Sequence, residues 1–155
     1  MTLENMLRKK LADPPAGQTE VVVAHQGWNV ALHPAAQDTL SCSLNDATFQ
    51  RQGAADDGDP RPWAERLSRT VTGLLEPLKL IEVDAPRKVA LLRSAVPTPS
   101  DPGVNYYEVE LHGTAQANVR RFRGYQEPGH KREQIPFAVT YEALAKLIGD
   151  VTADK

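Results

Sequence analysis

The sequence predicts a single α+β domain, mainly antiparallel sheet, with an N-terminal, a central and a C-terminal helix. Three observations carry this. Apolar residues recur at helical spacing in three separated stretches, the segments between them alternate with period two, and turn chemistry joins those segments at hairpin distance. A chain of 155 residues supports one core, because a globule of this size buries roughly 70% of its unfolded surface. Residues 1–155 are therefore read as one domain.

Leu3, Met6, Leu7 and Leu11 form the first stripe, with Thr2 as its N-cap and Lys9 and Lys10 in the last turn, where the helix dipole favours cations. Asp13-Pro14-Pro15 must end this helix, since proline removes a donor and excludes its predecessor from the α region. A hairpin follows over 19–33. With Gln26-Gly27 as a two-residue turn, His25 faces Trp28, Val23 faces Val30 and Val21 faces Leu32, which makes one face the more apolar. Pro34 opens a loop, and Leu40 to Leu44 alternates as a third strand that continues through Ala47 to Phe49 after a break at Asn45-Asp46.

Residues 53–60 (GAADDGDP) read as a loop, and Asp59-Pro60 as the start of the central helix, about 60–77. Trp63, Leu67, Val71, Leu74 and Leu78 form its stripe, with Arg66 and Arg69 opposite and Gly73 and Pro77 weakening its end. Trp63, the largest apolar side chain of that stripe, is expected to be buried against the sheet.

A meander comes next. Leu78 to Val83 and Lys88 to Ser94 are strands joined through Asp84-Ala85-Pro86, and 96–103 (VPTPSDPG) is a loop. Side-chain matching selects the next register. A three-residue loop, Gly113 to Ala115, sets Leu111 against Ala117, Val109 against Val119, Glu108 against Arg120, and Tyr106 against Phe122; a two-residue loop would mix the faces. Glu127-Pro128-Gly129-His130 has proline and glycine where a type II turn requires them. It returns the chain through Ile135, Phe137 and Val139, and Thr140 caps the final helix, about 140–151, with Tyr141, Leu144, Leu147, Ile148 and Val151 on one side. The helices should cover one face of the sheet or sheets.

Composition narrows the function classes. With 41% hydrophobic and 25% charged residues the chain is not of disordered type, and no apolar run nears the roughly 18 residues of a membrane span. Glu4, Arg8, Lys9 and Lys10 occupy the place of an apolar signal core, and the lone Cys42 suits a reducing compartment, so the expected location is the cytoplasm and no membrane partner is expected. A net charge of −2 disfavours phosphate binding by bulk charge.

The chain contains no Walker A run, GxGxxG, GxSxG, HExxH or CxxC. His25, His33, His112 and His130 share no i, i+2 or i, i+4 spacing, so no metal pair forms on one element, and neither a metal nor another cofactor is expected. Cys42 reads as a small core residue of an alternating strand. The acidic loop at Asp56, Asp57 and Asp59 lacks the ligand spacing and final glutamate of a calcium loop.

The segment 119–132 (VRRFRGYQEPGHKR) carries the sharper signal: Arg120, Arg121, Arg123, Lys131 and Arg132 interleaved with Phe122 and Tyr125, and Tyr106 beside Phe122. Cations beside aromatic faces suit single-stranded nucleic acid or an anionic ligand. Glu108 and Glu110 account for about half of the cations as cross-strand ion pairs. Arg121 and Arg123 share the parity of Val119 on the apolar face, so each must reach solvent, a carboxylate or an outside anion, with a bulge or an open sheet edge at that point. The candidate binding residues are therefore Arg121, Arg123, Tyr125, Lys131, Arg132 and Tyr106, and no catalytic residue is assigned.

Absent a catalytic constellation, the sequence favours a non-catalytic module that binds a protein or peptide, with self-association as a homodimer among its forms. Nucleic-acid or anionic-ligand binding through 119–132 is the alternative, and a histidine-centred enzyme using His25 or His112 is the third reading.

Overall fold

The computed structural model describes residues 2–12, 20–37, 40–53, 58–74 and 76–153. The proposed stop at Asp13-Pro14-Pro15 and the acidic pair Asp56 and Asp57 lie outside them. Three helices, α1 (Leu3–Ala12), α2 (Arg61–Thr70) and α3 (Tyr141–Thr152), accompany ten strands: β1 (Val21–His25), β2 (Trp28–Gln37), β3 (Ser41–Arg51), β4 (Leu78–Asp84), β5 (Val89–Ser94), β6 (Thr98–Ser100), β7 (Gly103–His112), β8 (Gln116–Tyr125), β9 (Glu133–Ile135) and β10 (Phe137–Thr140). All ten join one antiparallel sheet of order β1-β2-β3-β8-β7-β5-β4, with β10 on β3, β6 on β7 and β9 on β8.

Both hairpin registers follow from side-chain matching. Val21 faces Leu32 and His25 faces Trp28 around Gln26-Gly27, where both residues take positive φ. Leu111 faces Ala117 and Tyr106 faces Phe122 around the Gly113–Ala115 loop. Thr2 and Thr140 cap their helices, accepting from Asn5 N and Ala143 N at 3.1 and 3.0 Å.

Four elements depart from expectation. The central helix ends at Thr70 and does not run to 77: Val71 turns extended, and Gly73 packs so closely on α3 that a Cβ there would meet the Ala143 carbonyl oxygen at 2.7 Å. No loop opens at Pro34; β2 continues through irregular pairing there, where the missing N–H costs least. The Pro-rich run 96–103 contains β6, a three-residue strand at the rim of the sheet. The strand through Ile135, Phe137 and Val139 is broken at Pro136, so that β9 pairs with β8 and β10 crosses to β3.

The β3 parity is reset by a bulge at Asn45. Leu44 pairs with Pro34 and Ala47 with Leu32, so Cys42, Leu44, Ala47 and Phe49 all point the same way. The bulge also divides β3 between two neighbours, β10 along Ser41–Leu44 and β8 along Ala47–Gln50.

All three helices lie on one face of the sheet. Leu7, Leu11, Trp63, Leu67, Leu144, Leu147, Ile148 and Val151 meet Val23, Trp28, Leu32, Phe49, Leu92, Tyr107 and Val109 in one core. Trp63 is 6% exposed; its ring lies 5.5 Å from that of Trp28, and its Nε1 donates to the Val151 carbonyl at 3.2 Å. No helix among the described residues is long and apolar enough to cross a membrane.

Because Trp63 joins α2, α3 and the sheet, Trp63→Ala should destabilise the fold by about 3–5 kcal/mol. Urea denaturation measures this, and a midpoint near that of the wild type would make the contact peripheral.

Candidate functional site

The six candidate residues divide among three places. Arg121 enters the helix-covered face, as its parity demands, without a bulge or an open edge: its guanidinium stacks over Tyr107 at 4.2 Å and donates to Glu76 at 3.1 Å. Glu76 is 5% exposed and also accepts from the hydroxyls of Ser94, at 2.5 Å, and Thr98. The anion that Arg121 requires is thus supplied by the chain itself, from the turn between α2 and β4. Burial pushes the Glu76 carboxyl up, but hydrogen bonds from Ser94, Thr98 and Arg121, with the Arg121 charge, outweigh it and hold the group below the usual glutamate value of 4.5.

Arg123 and Tyr125 meet Glu133 at the end of the sheet, the guanidinium at 3.5 Å and the phenol donating at 2.8 Å. Arg123 also lies 3.4 Å from Asn105 Oδ1. Lys131 is exposed beside them.

Tyr106 and Arg132 come together on the opposite face of the sheet, which carries no helix among the described residues. Arg132 holds Glu108 with both terminal nitrogens, at 2.5 and 3.4 Å, reaches the Tyr106 hydroxyl at 3.4 Å, and lies 3.8 Å over the Phe122 ring. That guanidinium is why Phe122 is only 6% exposed on an uncovered face. From β5, Arg93 donates Nε to Glu108 at 3.0 Å and lies over Tyr106, which itself packs on Phe122 at 6.0 Å. Arg120 pairs with Glu110 at 3.5 Å. Glu108, 2% exposed, is therefore buried by its own ion pairs, with Arg93 and Arg120 opposite it in the neighbouring strands.

Of the histidines named for catalysis, His112 contacts Glu110 at 2.6 Å at the rim of a shallow cavity of about 400 Å³ lined by Glu82, Asp84, Arg87, Val89 and Leu91. His25 ends β1 opposite Trp28, half-buried. The most constrained histidine is His33, which bridges Asp46 through Nδ1 and Glu20 through Nε2 at 2.9 Å. Burial pushes its imidazolium down, but both carboxylates, by hydrogen bond and by charge, raise it above the ordinary 6.5. With both ring nitrogens tied to carboxylates it is built as a cation and not as a base. Among the described residues, no group of three or more His, Cys, Asp or Glu is placed to hold a metal ion.

Residues that the sequence reading did not single out, Glu76, Arg93 and His33, thus carry much of the polar architecture. The first two have a signal that could have exposed them. Glu76 is a carboxylate in a turn between apolar Leu74 and Leu78, and Arg93 shares a parity with Leu91 and Val89 that alternation reserves for the exposed face.

No family model, curated protein or solved structure matches the chain.

Two expectations follow. Glu76 titrates lower in the folded state than unfolded, so its contribution is present above about pH 4.5 and lost as pH falls through the folded value. His33 titrates higher folded than unfolded, so its contribution is complete below about pH 6.5 and lost as pH rises through its folded value. The stability difference between wild type and His33→Gln should therefore shrink from pH 5.5 to about pH 9, as thermal melts of both proteins across that range measure; a constant difference would refute the bridge. Arg121→Met should cost about 3–5 kcal/mol by stranding Glu76, while Arg121→Met with Glu76→Leu recovers most of it. A double variant as unstable as the single would mean that Arg121 acts on something other than Glu76.

Proposed function

We propose that the protein is a non-catalytic module that binds a protein or peptide on the uncovered face of its sheet, centred on Tyr106, Phe122, Arg93, Arg120 and Arg132 around Glu108. The observation that carries this reading is the uncovered arginine–aromatic cluster. Its guanidiniums are already held by carboxylates and stacked on rings, so a partner would immobilise little further side-chain freedom. Tyrosine and arginine are also the residues that concentrate binding energy at the centres of protein interfaces. The cavities beside His112, beside Asp59 and beside Glu76 are shallow and poorly suited to enclosing a small substrate. The nucleic-acid reading is weaker for a specific reason. Arg120, Arg121, Arg123 and Arg132 each have an internal carboxylate, which leaves few cations of segment 119–132 to displace counterions from phosphates. With Cys42 buried and reduced, we place this module in the cytoplasm.

A photo-crosslinking side chain at position 106 tests the reading, with the exposed Glu65 of α2 as the control position. Native-cell extracts should give protease-sensitive adducts from 106, absent from 65 and diminished at least about tenfold by Arg132→Ala, the effect of losing a central contact. Equal labelling from both positions, or adducts destroyed by nuclease, would overturn it.

A further inference from the structure

We infer that the partner presents an acidic peptide segment, and that Lys79 and Arg93 receive its carboxylates; this rests on the uncovered face being the binding surface. Lys79 of β4 stands directly opposite Arg93 of β5, and Arg93 stands opposite Glu108 of β7, so all three point to the uncovered face. Like charges at facing positions of adjacent strands destabilise the pair, so folding gains nothing from this one. Nothing else among the described residues relieves it. Lys79 is exposed and makes no ion pair with a described residue, and Arg93 donates only Nε to Glu108. Glu108 cannot neutralise the pair, because Arg132 grips the same carboxylate with both of its own terminal nitrogens. The acidic residues of β4, Glu82 and Asp84, lie beyond the Leu80/Glu82 bulge and line the cavity beside His112.

Following the register across the sheet, one row reads Lys79, Arg93, Glu108, Arg120; Arg120 takes Glu110 as its own carboxylate, so the row's unneutralised end is at Lys79 and Arg93. Strands are about 4.8 Å apart, so this row spans about 14 Å, and Arg93 and Arg120 are about 10 Å apart. An acidic segment laid across β4 and β5 would place a carboxylate between the Lys79 ammonium and the Arg93 fork. The aromatic rings favour a peptide over single-stranded nucleic acid. Phe122 is sealed under Arg132, and Tyr106 packs on Phe122 with Arg93 over its ring, so neither ring offers the open platform on which a base would stack.

The test is fluorescence polarisation of labelled decaglutamate with the full chain, at low salt and at about 1 M salt, where screening acts within about 3 Å. Wild type should bind saturably, with binding lost at high salt, and Lys79→Glu and Arg93→Gln should each weaken it at least about tenfold, the effect of removing one charge-assisted contact. Without peptide, Lys79→Glu should melt about 1–3 °C higher than wild type, because it replaces a like-charge pair by an opposite one. No binding by wild type, unchanged affinity of Lys79→Glu, or tighter binding of a labelled deoxythymidine ten-mer would overturn the acidic partner. The two readings separate experimentally. Position-106 adducts that persist undiminished in Lys79→Glu would keep the uncovered face and overturn its acidic partner. Lys79-dependent decaglutamate binding without position-106 adducts would support the anion site and overturn the broader surface.

Discussion

The buried pair of Glu76 and Arg121 is the constraint on which the architecture turns. After α2 stops at Thr70, the chain must cross the helical layer and begin β4 at Leu78. Glu76 anchors that crossing to three strands at once, accepting from Ser94 of β5, Thr98 of β6 and Arg121 of β8. The Ser94 hydroxyl in turn accepts from the Tyr107 amide at 2.7 Å, which carries the network into β7. Isolated, either charge would be prohibitively costly in this position; together, with two hydroxyls on the carboxylate and a ring under the guanidinium, they tolerate burial. Such a pair contributes specificity of arrangement more than net stability, since its hydrogen bonds form only when β5, β6, β8 and the crossing loop are all in place.

The same charge logic, applied on the other face, has a different outcome. There Glu108 is buried by arginines and not by a helical layer, and the stack of Arg132 on Phe122 replaces the apolar cover that an aromatic ring would otherwise need. A wide sheet can therefore leave one face without helices and still expose little ring surface. Polar residues continue this pattern toward β2: His33 faces Asp46, and the carboxylates on its two nitrogens hold the start of β1 to β3.

Local chemistry made much of the fold legible in the sequence. Two hairpin registers followed from pairing apolar with apolar side chains, because a one-residue slip would have moved whole strands to the wrong face. Three helices followed from their stripes, two of them with threonine caps. What was not legible depended on neighbours distant in sequence. The end of α2 at Thr70 is set by the approach of Gly73 to α3, some seventy residues on, and the path from β9 to β10 by which strand has a free edge. The candidate site was half legible for the same reason. The parity argument placed Arg121 on the apolar side and demanded an anion, but nothing in the order of residues named Glu76 as that anion, 45 positions away. Tyr106 and Arg132, both candidates from the sequence, lie together on the uncovered face, whereas Arg93 is brought beside them only by the pairing of β5 with β7.

The two outer strands show how such a sheet ends without growing. At β1, the Lys10 ammonium of α1 donates to the Val22 carbonyl at 3.1 Å, occupying an edge acceptor. At β4, Ile81 is an extra residue between Leu80, opposite Leu92, and Glu82, opposite Leu91, and the resulting bulge breaks the flat ladder that an added strand would need. Exposed Lys79 and Glu82 flank it. The bulge has a second effect on the uncovered face. It sets Lys79 and Glu82 on that face despite their odd separation, so that the cation lies in the arginine row and the carboxylate lies over Leu91. One irregularity thus protects the edge and sorts opposite charges into separate rows, which leaves Lys79 and Arg93 side by side with no carboxylate of β4 between them.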